Sequence, residues 1–316
     1  MTKVIFIGVG KLGVRHLEAL LISQIQSSVW VVDTDNESIS IAKQLTKNRN
    51  HSNTLVFCNI IPEIGNFDLA IIATNSKNRF EIAQELLTKN SVKHLVLEKI
   101  VFTVSSEYVR FKKLIDESKT TCFVNLPRRL FLHYKFIREI TWNCNSFDAR
   151  ISGSSWGLLS NSLHFIDLIH FLFSEECSFI DLSQLTDFFP SKRKGYMEAN
   201  GKIQLYFANK GRALIECTEG DFNGISILLK FDGKEIEIHE KLEGSMKFSL
   251  ESNPRKIQSL MVKNTTSLIF KNLVEENNCD IPTYDEIYKE HLLFIQELEK
   301  KFQQDYAQYQ NQILVT

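Results

Sequence analysis

The sequence predicts an α/β fold: an amino-terminal doubly wound parallel sheet, followed by a carboxyl-terminal α+β domain whose open sheet is largely antiparallel. Three observations predict it. Residues 1 to about 122 alternate short apolar runs with helical patterns, as strands covered on both faces by helices do. Beyond residue 122 the runs become shorter, alternate apolar with polar, and are broken by hairpin signals. The first apolar run, Lys3 to Ile7, leads straight into Gly8-Val9-Gly10-Lys11-Leu12-Gly13 and then into a helical pattern.

The elements follow in order. Ser28 to Val32 reads as a buried strand ending at Asp33, and Glu37 to Lys47 as an amphipathic helix that Asp35 caps. Thr54 to Phe57 and Asp68 to Ala73 are strands. Lys77 to Lys89 is a helix with Phe80, Ile82, Ala83, Leu86 and Leu87 on its apolar side. Lys93 to Leu97 is the next strand and ends in Glu98-Lys99. A helix from about Ser105 to Ser118 and a strand Thr121 to Val124 complete the unit. In the second half, Arg128 to Thr141 reads as a helix, Trp142 to Ser152 as strand, and Leu158 to Phe173 as a strongly apolar helix carrying His164, Asp167 and His170. From Lys202 to Glu240 the signals Asn209-Lys210-Gly211, Asn223-Gly224 and Asp232-Gly233 mark an antiparallel sheet. Ser245 to Asn278 suggests a strand and then a helix. Pro282-Thr283 starts a helix to about Gln304, and the tail from Asp305 to Thr316 is ambiguous.

Composition bounds the possibilities. A chain of 316 residues accommodates two domains, expected over 1–122 and 123–316. A net charge of −1 gives no reason to expect nucleic acid or an anionic membrane as partner. No apolar run is long enough to span a bilayer, and the first strand begins too early for a signal peptide. The six cysteines lack ligand spacing, so structural zinc is not expected and a reducing, cytoplasmic setting is. The 23 phenylalanines suit an aromatic core or an oligomer interface.

The glycine motif carries the chemistry. Gly8 permits a tight turn, Gly10 admits a pyrophosphate to the backbone, and Gly13 lets the helix approach the strand. The helix amino terminus, with Lys11 and Leu12 in the turn, then faces phosphates. Asp33 stands about twenty residues beyond, where a carboxylate accepts hydrogen bonds from a ribose diol and repels a 2′-phosphate. NAD is therefore expected as cofactor, NADP less so. The competing reading makes Asp33 a helix cap. Thr74 and Asn75, after the fourth strand, are expected to line the nicotinamide ribose, a role compatible with capping the Lys77 helix.

These residues together resemble the Gfo/Idh/MocA family of glucose–fructose oxidoreductases and inositol dehydrogenases, over nearly the whole length. Gly8 to His16 is similar to the family's opening, Ala73-Thr74-Asn75-Ser76 to its T-P-N, and Leu97-Glu98-Lys99-Ile100 to its E-K-P. Asn125 to Tyr134, with Arg128 and Arg129, is similar to its N-R-R segment. Ser160 to Asp167 is similar to its D-x-G-x-H-x-x-D. The resemblance implies a Rossmann domain, an NAD-dependent oxidoreductase acting on a sugar, nucleotide-sugar or polyol, and a homodimer or homotetramer built on the open sheet. It also departs in places. Ile100 replaces a proline that is often cis, so a different backbone is expected there. Ser160 replaces an aspartate, and Arg79 stands at the family's histidine.

Hydride removal from an alcohol leaves a proton to be accepted. Lys99, at a strand's carboxyl end, is the first candidate, since a desolvated lysine beside a cationic ring has its pKa lowered. A surface lysine paired with Glu98 is the alternative, and Glu98 itself is counted with the cofactor site. The resemblance makes His164 the acid–base partner; without it, a core histidine is the better reading. Asp167 either orients that ring or closes a helix–sheet contact, and Ser160 can donate a hydrogen bond but cannot be a charged base. Arg128 and Arg129 either clamp an anionic group of the substrate or form an exposed helix start. His164 and His170, six residues apart, point away from each other, which argues against zinc. Two other classes remain: a non-catalytic NAD-binding sensor, which the family includes, and an imine or amino-acid reductase.

Overall fold

The structure is a computed structural model that describes residues 1–316 apart from 50, 209, 242, 250, 252, 259–260, 306–314 and 316. The chain forms two compact units. The first comprises Met1–Phe102, Ser106–Pro127 and Met261–Tyr288; the second comprises Thr103–Ser105, Arg128–Leu260 and Lys289–Thr316. A single cut at residue 122 assigns 261–288 to the second half, whereas this segment packs into the first unit. Asn209 of one hairpin signal and most of the ambiguous tail lie outside the described residues.

The first unit contains β1 (Thr2–Ile7), α1 (Gly13–Ile22), β2 (Ser27–Val32), α2 (Asn36–Lys47), β3 (Thr54–Cys58) and β4 (Asn66–Ile72). It continues with α3 (Arg79–Lys89), β5 (Ser91–Leu97), α4 (Ser105–Ser118) and β6 (Thr121–Val124). The six strands pair in the order β3-β2-β1-β4-β5-β6, all parallel. Val4, Ile5, Leu69, Ala70, Leu95 and Leu97 are fully buried, as strands covered on both faces should be. Residues 76–78 form a 3-10 turn ahead of α3, so that helix begins two residues later than its pattern suggests. Asp35 caps α2, accepting hydrogen bonds from the N–H groups of Glu37 and Ser38.

The second unit opens with a 3-10 turn at Pro127–Leu130, then α5 (Leu132–Thr141), β7 (Phe147–Ser154) and α6 (Leu158–Phe173). The single helix expected from Arg128 is thus interrupted, and the strand expected from Trp142 starts at Phe147. β8 (Phe179–Asp181), β9 (Leu185–Pro190), β10 (Met197–Phe207), β11 (Gly211–Thr218) and β12 (Ile225–Phe231) follow. β13 (Lys234–Glu240), β14 (Glu243–Phe248) and β15 (Arg255–Gln258) end the sheet. The order is β15-β14-β13-β12-β7-β11-β10-β8, with β9 on β10. All pairs are antiparallel except β7 with β11.

Period-two alternation sets the two faces of this sheet. Ala149, Ile151, Ala213, Ile215, Ile227 and Leu229 are buried, and α6 packs on β7, β10 and β11. On the other face charges pair across strands, Arg150 with Glu216 at 2.6 Å and Arg212 with Asp148 at 2.6 Å. The chain then adds α7 (Val262–Lys271), which packs on α1 in the first unit, a π-helical turn at Asn272–Glu276, and α8 (Tyr284–Asp305). Thr283 and Glu286 form a reciprocal capping box at the head of α8. Among the described residues no helix is long and apolar enough to cross a membrane.

His291 of α8 is 1% exposed, and burial pushes its pKa down to about 3. Because the folded value lies below the unfolded one, the neutral ring stabilises the fold above about pH 6.5, and that contribution fades as the pH falls toward 3. Between pH 6.5 and 5 the wild type should lose about 2 kcal/mol more than His291→Leu. Urea midpoints at the two pH values measure the difference; parallel losses in both proteins would rule it out.

Candidate functional site

The site of the first unit is built by register. Val32, Ile7, Ile72, Leu97 and Val124 stand opposite one another in one row across β2, β1, β4, β5 and β6. Each strand therefore ends at the same level. The ladder runs one residue further, with N–H donation from Gly8 to Val32, Ala73 to Ile7, Glu98 to Ile72 and Asn125 to Leu97. Asp33, the glycine turn, Thr74, Lys99 and Asn125 thus stand in sequence along the carboxyl edge, where open α/β sheets bind ligands.

The glycine turn shows why its residues are glycine. Gly8 has φ +87°, and a Cβ there would lie 2.7 Å from the Thr74 side chain. A Cβ on Gly13 would fall 1.9 Å from the Gly8 carbonyl oxygen. A Cβ on Gly10, by contrast, meets nothing within 4 Å: the space over the turn is open. Lys11 is exposed and Leu12 half-buried beside it. Asp33 braces the turn, its Oδ2 accepting the Val9 N–H at 2.8 Å and its Oδ1 the Asp35 N–H at 2.9 Å. Each oxygen keeps acceptor capacity. A pyrophosphate over Gly10 and a diol at Asp33 both fit these residues.

The turn that carries Lys99 is held from inside. Arg79, 1% exposed, donates from Nη1 to the carbonyls of Glu98 at 2.6 Å and Val101 at 3.0 Å, and also to that of Ile100. Its Nη2 donates to the Thr74 carbonyl. One planar fork therefore ties the exits of β4 and β5 together. Lys99 is half-buried, and its peptide bond to Ile100 is cis, so the different backbone expected from the missing proline is not found at this bond. Asn75 is exposed and precedes the 3-10 turn without a side-chain capping bond.

Glu98 does not pair with Lys99. It is 6% exposed, and its Oε1 takes His16 Nε2 at 2.9 Å and Asn125 Nδ2 at 2.6 Å. Burial pushes its pKa up, but the His16 bond and charge, the Asn125 amide and the Arg79 charge outweigh this and hold it below the usual carboxylate value. His16 Nδ1 in turn lies 3.1 Å from Thr266 Oγ1, on α7. Two oxygens near this network, Thr74 Oγ1 and Asn125 Oδ1, are buried with no hydrogen-bond partner among the described residues.

The predicted residues of the second unit divide differently. Arg129 and Asp167 form a buried ion pair, Nε to Oδ1 at 3.0 Å and Nη2 to Oδ1 at 2.7 Å. Burial, only partly offset by Arg129, pushes Asp167 up to about 6. Arg128 is engaged by Glu240, Nη2 to Oε2 at 2.6 Å, and stacks on Phe165. Their charges answer carboxylates within the unit. Arg128 is not an exposed helix start. His164 is half-buried on α6, one turn beyond Ser160. The head of α6 receives a carboxylate from elsewhere: Glu198 of β10 accepts the N–H groups of Leu159 at 2.9 Å and Ser160 at 3.2 Å.

Sequence reasoning passed over His16, Arg79, Asn125, Glu198 and Thr266 as functional groups. Only His16, Arg79 and Asn125 carried a signal, standing in or at a motif without an assigned task. Loss of the Arg79 side chain leaves several buried carbonyls without a donor, which costs roughly 1–3 kcal/mol each. Arg79→Met should therefore lower unfolding free energy by about 3 kcal/mol or more in urea, with Arg79→Lys recovering part. A change within about 0.5 kcal/mol, typical of a surface site, would contradict this.

Residues 2–126 match the family described as an oxidoreductase family with an NAD-binding Rossmann fold, Gfo/Idh/MocA. Among solved structures, the chain is similar to a UDP-N-acetylglucosamine 3-dehydrogenase from Acidithiobacillus ferrooxidans, at 12% identity and TM-score 0.67, over 94% of this chain and 96% of that one. It is similar to an oxidoreductase from Agrobacterium radiobacter in complex with NAD+, L-tartaric acid and magnesium, at 12% identity and TM-score 0.70, over 94% of each chain. It is also similar to the transcriptional regulator Gal80p from Kluyveromyces lactis, at 13% identity and TM-score 0.72, over 96% and 92%. Comparison with curated proteins finds no match by sequence. At such identities these likenesses establish the fold.

Proposed function

We propose, from the match of residues 2–126 to the Gfo/Idh/MocA oxidoreductase family, that the protein is an NAD-dependent dehydrogenase acting on the CH–OH group of a sugar, nucleotide-linked sugar or polyol. The observation that carries the reading is the clamped turn of Lys99, beside Thr74 and the open glycine turn at one sheet edge. Bound NAD supplies the hydride acceptor. Lys99 takes the hydroxyl proton at Nζ. His164 serves as the second acid–base group that the resemblance implies. The glycine turn and first helical turn bind the pyrophosphate through backbone N–H groups. Asp33, with Asp35 exposed beside it, favours a free 2′-hydroxyl and so NAD over NADP. The nucleotide-sugar dehydrogenase among the similar folds supports that substrate class. A cytoplasmic homodimer or homotetramer is part of the same reading: six free cysteines suit a reducing compartment, and the resemblance implies the oligomer.

A second reading, a non-catalytic NAD-binding regulator, is favoured by the likeness to Gal80p and by Ser160 at the place of the family's aspartate. Absorbance at 340 nm against a panel of sugars, nucleotide sugars and polyols separates the two. The dehydrogenase reading expects turnover that falls about 10²–10⁴-fold in Lys99→Met and in His164→Ala, with NAD affinity kept within about threefold. Full turnover in both variants would remove those roles, and tight NAD binding without turnover on any compound would favour the regulator. Equilibrium binding should give NAD at least tenfold tighter than NADP; the reverse order would overturn the role of Asp33.

A further inference from the structure

The buried hydrogen-bond chain beneath Lys99 has a direction, and the direction leaves one acceptor waiting for a donor. Glu98 is held in its charged form, and a carboxylate only accepts. Both of its neighbours must therefore donate to it. His16 does so through Nε2–H, and its Nδ1 lies 3.1 Å from the Thr266 hydroxyl, which ties the ring to α7. Asn125 does so through Nδ2 at 2.6 Å. The orientation of the Asn125 amide is thereby fixed by chemistry: its nitrogen faces Glu98, and Oδ1 faces the other way. That oxygen is buried, on a residue only 9% exposed, and has no partner among the described residues. A buried acceptor left unpaired is costly, and native structures supply it with a donor.

The place of Asn125 says which donor. It follows β6, one strand beyond Lys99, at the end of the row that runs from Asp33 through the glycine turn and Thr74. Strands about 4.8 Å apart put Asn125 roughly 19 Å from the Asp33 end. A dinucleotide laid along this edge, ribose diol at Asp33 and pyrophosphate over Gly10, brings its other end to this side of the sheet. That end carries a planar carboxamide with two N–H donors. We propose that Asn125 Oδ1 is the acceptor for the nicotinamide carboxamide, pre-oriented by the Thr266–His16–Glu98 chain. The inference rests on the NAD reading and adds to it a residue that orients the ring.

The test needs no substrate. The 3-acetylpyridine analogue of NAD keeps the carbonyl but replaces the NH₂ by methyl, and so loses the donor. Dissociation constants for NAD and for the analogue, measured by intrinsic fluorescence, give a ratio for each protein. Wild type should prefer NAD about tenfold, the worth of one hydrogen bond. Asn125→Ala should bring the ratio to within about twofold of one. A variant that merely loosens the site weakens both ligands alike and leaves the ratio unchanged, which would overturn the proposal. A wild-type ratio near one would overturn it as well, and that measurement stands even if the variant does not fold. Failure of wild type to bind either dinucleotide would instead remove the NAD reading, and this inference with it.

Discussion

The level row of backbone pairing from β2 to β6 is the constraint on which the first unit's site depends. Five strand exits open at one height because Val32, Ile7, Ile72, Leu97 and Val124 are in register. A slip of one residue in any strand would turn its buried side chains outward and carry its exit residue off the edge. The near-continuous burial of these strands makes such a slip expensive. The position of Lys99 is therefore set first by the apolar content of β5 and only then by the polar groups around it.

Those polar groups solve a second problem, charge without water. Glu98 is buried and ionised, and Arg79 is buried and cationic. Arg79 directs its fork to backbone carbonyls while its charge acts on Glu98, whose carboxylate takes its hydrogen bonds from His16 and Asn125. Each charge is thus met by oriented dipoles as well as by the other. The second unit follows the simpler rule. Arg129 with Asp167 and Arg128 with Glu240 pair directly, and pairs of that kind fix helices and strands relative to one another within the unit.

The sequence made legible whatever is local or periodic. The glycine turn follows from spacing, the parallel strands from continuous apolar runs, and the Asp35 cap from its position before Glu37. Groups whose meaning depends on distant partners stayed hidden. Arg79 looked like a departure from a motif, because nothing in a helical pattern says that its side chain turns inward to the β5 exit. Arg128 and Arg129 read as either an anion clamp or an exposed helix start, because Glu240 and Asp167 stand 112 and 38 residues away in the chain. The return of 261–288 to the first unit was likewise unreadable: a helix's apolar face does not name the surface it will cover.

Ser160 is where the enzyme and regulator readings meet. Its hydroxyl lies 3.3 Å from the Gly157 carbonyl, and its N–H is taken by Glu198. The head of α6 therefore keeps a negative charge against its dipole although the aspartate is gone. That charge now comes from β10 and is directed at backbone N–H groups. Helix geometry, and with it the placing of His164 one turn along, does not require an acidic residue at 160. What the substitution removes is a carboxylate side chain projecting from the helix itself.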